Sequence, residues 1–349
     1  MRKSTISIAD GYRKYGALVA LAVQNTVSVV VMRWSRTSSE QHAIASTAVL
    51  LAEILKLFIS FTVHVSQQRS PSVESVANDI FGKDSLWIKM TVPAALYTLQ
   101  NWLHYFALSL IDATTHQVTM QLRILATAMC AVIMLNKKLA WEQWIALVTL
   151  TLGMALTQLP MGVTSHKYAL GSKASMDQFV GLSAVALTCL TSGLSGVYLE
   201  KVLKQSATTL WVRNIQLAIF SSIFCAIFGV MLHDGAAVYE RGFFAGYGWA
   251  TTCAVLLNAV GGLLVANVIK YADNIVKNSA IAISIVASGM ISAFLGDFTF
   301  TPNFLIGAVI VVSSVWAYSL HGAPTPLHKG DIEKGSREPV ILKSSKDFA

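Results

Sequence analysis

Several polar side chains stand inside stretches otherwise too apolar to hold them. Glu53 and Lys56 are three residues apart in VLLAEILKLF, so a helix puts them on one face where they can neutralise each other. A structural ion pair or partner-exchanging gate is one reading; direct handling of substrate or protons is the other. His116, Met120 and Arg123, in THQVTMQLR, follow the i, i+4, i+7 pattern of a single helical face. Arginine cannot shed its proton, so it needs an anion or a water-filled cavity unless it snorkels to a surface. Arg123 lies far from either end of its run, which favours the anion. Gln100, Asn101 and His104 form a second cluster, with Gln100 and His104 one turn apart; such amides either glue helices together or face a ligand. Asn214 follows Arg213 at the start of another apolar run, where Arg213 reads as an interface anchor. In KYADNIVK (270–277), Lys277 either pairs with Asp273 at i, i+4 or enters a cavity beside a positive helix end that favours phosphate.

The elements that position these residues follow from composition. Of 349 residues, 54% are hydrophobic and 13% charged, against about 25% charged in soluble domains. The apolar residues come in blocks of about 20, enough to cross a bilayer as helix. They lie near 15–34, 43–65, 85–109, 113–135, 140–160, 178–199, 209–232, 246–269, 277–296 and 302–321. Runs such as Ala131–Val132–Ile133–Met134–Leu135 lack the period of two that a barrel strand needs. The expected fold is an all-α integral membrane protein with ten transmembrane helices in two inverted five-helix repeats. The expected organisation is a cytosolic tail (1–14), a first repeat (15–160), a lumenal linker (161–177), a second repeat (178–321) and a disordered cytosolic tail (322–349). An odd number of spans per half inverts one half against the other and places a site between them. Lys and Arg concentrate on the termini and on the loops of their side, which makes both termini cytosolic by the positive-inside rule.

The net charge of +8 therefore points to a lipid bilayer rather than nucleic acid. Cys130, Cys189, Cys225 and Cys253 fall inside apolar runs, where a disulfide framework is not expected. Gly193, Gly196 and the pair Gly261–Gly262 make small-residue surfaces on which helices pack closely or rock. No Asp-rich metal motif, H-E-x-x-H, nucleophile elbow or Walker loop occurs in the chain, so neither an enzyme nor an ATP-driven pump has visible chemistry. No cofactor or metal is called for.

The strings QNWLHYFALSLIDATTHQVTMQLRILATA (100–128), SGLSGVYLEKVLK (192–204), LWVRNIQL (210–217), GFFAGYGW (242–249) and GGLLVANVIKYADNIVKN (261–278) strongly resemble the Golgi nucleotide-sugar transporter family, in the branch carrying UDP-galactose, UDP-N-acetylglucosamine and CMP-sialic acid. The resemblance runs from about residue 11 to 321. It implies the drug/metabolite transporter fold, a multi-pass Golgi location, and exchange of a cytosolic nucleotide sugar for a lumenal nucleoside monophosphate, and it leaves a homodimer open. By motif matching, Arg123 falls where the family has a substrate-contacting lysine, and Lys277 matches the lysine of a YADNILKGF motif. Asn101 and Asn214 match residues expected to face the nucleotide, supported by Gln100 and Gln117. His116, Met120 and Asn274 complete the implied binding set. Tyr198 and Glu200 match a GVYFEK segment implied to gate or pack.

Departures line the implied cavity. The aromatic residues usual at His116 and Met120 are absent, Trp102 replaces a second asparagine, Asn278–Ser279 replaces Gly–Phe, and arginine replaces lysine at 123, keeping charge but changing geometry. Length and terminal extensions resemble fungal members. The implied cargo is UDP-galactose, as pyranose or furanose, exchanged for UMP, with UDP-N-acetylglucosamine as the alternative. A multi-span glycosyl- or prenyl-phosphate enzyme and an exporter of another phosphorylated metabolite are the other readings.

Overall fold

A computed structural model describes residues 8–38, 43–68, 72–82, 85–159, 172–205, 208–294 and 301–320. The described chain is helical: α1 (Ile8–Ser38), α2 (Ala45–Gln67), α3 (Val73–Phe81), α4 (Thr91–Leu110), α5 (Ala113–Thr119), α6 (Arg123–Leu135), α7 (Trp141–Thr157), α8 (Ser172–Gln205), α9 (Leu210–Phe224), α10 (Gly235–Arg241), α11 (Trp249–Tyr271), α12 (Asn274–Phe294) and α13 (Pro302–Leu320). A 3₁₀ turn at Met120–Leu122 joins α5 to α6, and α9 continues as a π-helix over Cys225–His233. Side chains set several ends. Ser72 Oγ accepts from the Ser75 N–H at 3.1 Å and starts α3, and Asp112 Oδ1 accepts from the Thr115 N–H at 2.8 Å and starts α5, as N-caps do. Asn136, at φ 52°, closes α6 in the left-handed conformation.

The main helix pairings all join an element before residue 160 to one after 171. α7 lies along α13, α4 and α6 along α8, α1 against α11 and α12, and α2 against α9 and α11. The cores follow suit: Ile124, Leu147, Leu150 and Met154 pack with Ile275, Val286 and Val311, and Met90 and Ala94 with Leu199, Leu217 and Ile269. The halves interlock, so the segment 161–177 separates them in sequence only; its residues 161–171, like tails 1–7 and 321–349, lie outside the described residues. Large apolar side chains such as Phe58, Ile133, Leu152, Val309 and Trp316 are exposed on the outside, as a lipid-facing surface requires.

The expectation of ten spans in two inverted five-helix repeats is overturned. Among the described residues, seven helices are long and apolar enough to cross a membrane: Ala45–Gln67, Thr114–Leu135, Met176–Lys204, Leu210–His233, Trp249–Tyr271, Asn274–Phe294 and Pro302–Leu320. The other three expected spans fall short for different reasons. The apolar described part of α1 is only Tyr15–Val29. α7 is 17 residues long. α4 has the length, 20 residues, but Gln100, Asn101 and His104 dilute its apolar character. With the count of ten goes the parity argument that put both termini on one side.

Candidate functional site

Between α2, α4, α6, α8, α9, the π-helix, α11 and α12 lies a cavity of about 1110 Å³. One face of α2 lines it with Ser46, Val49, Glu53 and Lys56, the i, i+3, i+7, i+10 stripe of a single helical face. The charged side chains in the lining are Lys56, Arg123, Lys277, Glu53 and Asp234. Lys56 Nζ lies 2.7 Å from Glu53 Oε1, so this pair forms within its own helix. Gly262 of α11 makes room for it: a Cβ there would lie 2.9 Å from Lys56 Cδ. Gly261 does the same for Gln24, whose Nε2 donates to the Leu257 carbonyl at 2.8 Å.

Arg123 opens α6 directly after the 3₁₀ turn, and Lys277 lies in the first turn of α12. Both line the cavity, and the charge of Arg123 bears on Lys277. Neither side chain has a hydrogen bond or ion pair to another described residue. A cation at this depth costs about 2.5–3.5 kcal/mol without a partner, so two of them in one cavity mark a place for an anion. Of the two readings for Lys277, the pair with Asp273 is not made. Asp273 instead accepts from the Val276 N–H at 2.8 Å and pairs with Lys137 at 3.1 Å. Burial works to raise the Asp273 pKa, but Lys137, the Val276 N–H and Lys204 outweigh it and hold the carboxyl below its usual range.

Glu200 is fully buried. It pairs with Lys137 at 3.1 Å and Lys204 at 2.9 Å, and its Oε2 accepts from the Asn274 N–H at 2.9 Å. Lys204 Nζ also donates to the Ala272 carbonyl at 2.6 Å. Two of the free N–H groups at the start of α12, those of Asn274 and Val276, are thus taken by carboxylates. The ammonium of Lys277, rather than the helix end, is what the cavity presents.

Of the other residues singled out in the sequence, Gln100 and Asn101 line the cavity. His116 is buried, its ring edge-on to His104 with centroids 4.4 Å apart. Met120 packs beside Ala126 and Val185, with its sulfur 4.0 Å from Cys189 Sγ. Gln117 is exposed. Asn214 is buried at the start of α9, next to Arg213, whose Nη1 donates to the Ser85 carbonyl at 2.7 Å. Asn274 lies buried against Gly196, and Tyr198 packs on the cluster around Leu199 and Leu203. Gly193 passes close to the α6 backbone, where an added Cβ would lie 3.0 Å from the Ala126 carbonyl. The four cysteines are free.

The cavity also contains Tyr97, Thr98, Tyr105, Ser221, His233 and Asp234, which spacing did not single out. Three buried oxygens of lining residues lack a hydrogen-bond partner: Ser46 Oγ, Glu53 Oε2 and Gln100 Oε1. Orphaned acceptors in a wall call for donors from whatever fills it. Among the described residues no group of three or more His, Cys, Asp and Glu could hold a metal ion.

A membrane-embedded helical body with a large, partly aromatic cavity and two unpaired cations defines a carrier whose solute is an organic anion carrying hydrogen-bond donors. The sequence comparisons agree. A family model described as nucleotide-sugar transporter matches residues 10–319. The chain is 44% identical over 319 residues to a UDP-N-acetylglucosamine transporter of Rattus norvegicus, covering 89% of this chain and 96% of that protein. It is 40% identical over 340 residues to a UDP-galactose transporter of Schizosaccharomyces pombe, covering 95% and 93%. A solved structure only 12% identical superposes with a TM-score of 0.62 over 88% of this chain and 97% of that one, a likeness of fold alone. The chain belongs to the nucleotide-sugar transporter family, and it is a transporter rather than an enzyme. A mammalian relative at least as similar as the yeast one gives the fungal expectation no support.

Proposed function

We propose that the protein exchanges a UDP-sugar for UMP across the Golgi membrane by alternating access, with Arg123 and Lys277 holding the phosphates. The observation that carries this reading is the pair of unpartnered cations in one cavity. Arginine grips a phosphate through two parallel N–H donors and lysine adds a compact charge, so a diphosphate satisfies both. Gln100 and Asn101 lie on the same wall and can donate to and accept from the nucleotide. An emptied site leaves two like charges facing each other without an anion. That raises the cost of reorienting it unloaded and favours exchange over one-way passage.

The favoured cargo is UDP-N-acetylglucosamine. The rat UDP-N-acetylglucosamine transporter and the fission yeast UDP-galactose transporter are 44% and 40% identical to this chain, which supports the acetamido sugar over the galactose suggested by the motifs; UDP-galactose remains the second reading. Purified protein in liposomes preloaded with UMP, CMP, GMP or nothing, offered labelled nucleotide sugars, tests both points. Uptake of UDP-N-acetylglucosamine that requires internal UMP is the expected result. Uptake of UDP-galactose alone overturns the cargo, and uptake independent of internal nucleotide overturns exchange.

A further inference from the structure

The part of the cavity beside the turn from the π-helix into α10 carries groups that phosphate binding does not use. His233 Nδ1 lies 2.8 Å from Asp234 Oδ1, and the His233 ring stacks on Tyr105 of α4 with centroids 5.5 Å apart and planes at 29°. Ser46 of α2 joins them: its carbonyl accepts from Cys225 Sγ at 3.5 Å, and its own hydroxyl is buried without a partner. All four residues line the cavity. About three turns earlier on α4, Ala94 also belongs to the lining, packed in the cluster that holds Leu199, Leu217 and Ala266. From Ala94 to Tyr105 α4 rises about 16 Å, the reach of a nucleoside diphosphate with a hexose extended beyond it.

We propose that Ser46, Tyr105, His233 and Asp234 form the hexose subsite of this cavity, an assignment that rests on the cavity carrying a nucleotide sugar. A hexose presents an apolar C–H face bounded by hydroxyl donors. The stacked Tyr105 and His233 rings supply a flat wall for that face. A carboxylate accepts at about four lone-pair positions, and His233 occupies one of those on Asp234, leaving the others for vicinal hydroxyls. In the tautomer whose Nδ1–H donates to Asp234, His233 offers Nε2 as a further acceptor. The orphaned Ser46 hydroxyl both donates and accepts, which suits a sugar hydroxyl or an acetamido group. Every group here complements a neutral, donor-rich ring, whereas the cations answer the phosphates, so the two sets of groups serve different parts of one solute.

UMP has the phosphate and the base but no hexose, and this separates the subsite from a general role in folding or gating. In reconstituted protein, Asp234→Asn keeps the size of the side chain and one acceptor for His233. The expected result is a KM for UDP-N-acetylglucosamine raised about tenfold, with UMP–UMP exchange changed by no more than about twofold. Ser46→Ala, a smaller perturbation, should shift the same KM in the same direction. Parallel losses in both exchange reactions, or no change in either, would overturn the subsite. A wild-type protein that exchanges UMP for no UDP-sugar would instead overturn the functional reading beneath it.

Discussion

Two lysine-bearing regions lie within a turn of each other and do opposite things with their charge. At the corner between α11 and α12, Lys137 and Lys204 are matched by Glu200 and Asp273. One turn into α12, Lys277 and its cavity partner Arg123 make no ion pair with a carboxylate among the described residues. The first arrangement neutralises itself and ties α6, α8, α11 and α12 together; the second stays uncompensated and waits for an anion. The same residue type therefore serves architecture or ligand according to whether the chain supplies its counter-charge.

The sharpest way to break the contrast is to remove the uncompensated charges. Lys277→Ala and Arg123→Ala should each lower exchange by about 100-fold or more, the loss of a charge-assisted phosphate contact. Thermal melting should rise rather than fall, because neither cation holds another side chain in place and each is costly to keep in the cavity without an anion. Glu200→Ala should do the reverse. It leaves Lys204 with the Ala272 carbonyl and Lys137 with Asp273 alone and opens a buried gap, and should cost about 2–3 kcal/mol of stability, less than a fully buried pair because both lysines reach solvent in part. Denaturation in detergent measures this, and Glu200→Gln, which keeps an acceptor for the Asn274 N–H, should cost less.

Gly193→Ala sharpens the same boundary without touching charge. The new methyl meets Ala126 backbone that cannot swing aside, and about 1–3 kcal/mol of stability should be lost. The smallest effect is in pH. The folded Asp273 pKa lies below its ordinary value of about 3.9, so its stabilising pairing is complete above that value and fades as the pH falls through the depressed one. Between about pH 5 and about pH 3, wild type should lose more melting temperature than Asp273→Asn. An equal loss would mean that the pairing contributes nothing.

Much of this was legible in the sequence because polar residues stand out in apolar runs. Glu53, Lys56, Gln100, Asn101, Arg123 and Lys277 were singled out that way, and all six line one cavity. Tyr97, Tyr105 and Ser221 escaped notice since aromatic and hydroxyl residues are ordinary in such runs, and His233 and Asp234 because polar residues at the end of a run are ordinary too. Periodicity showed that His116 and Met120 share a face with Arg123, but not that α4 and α8 cover that part of it. Asn214 and Asn274 read as ligand contacts, yet they sit in the packing around the cavity, a distinction only the neighbouring helices make. The span count failed for a related reason. α4 has the length of a span, but the polar residues that make it a cavity wall dilute its apolar character.

The π-helix at Cys225–His233 makes the chain's length matter at one spot. A π turn accommodates residues that an α-helix would not, and successive α-helical positions differ by about 100° around the axis. At fixed length, relaxation of the segment to α-helical winding would swing His233 and Asp234 around the axis, away from Tyr105. The segment behaves as a dial setting rather than a spacer: its winding, not its reach, sets which side chains meet the solute.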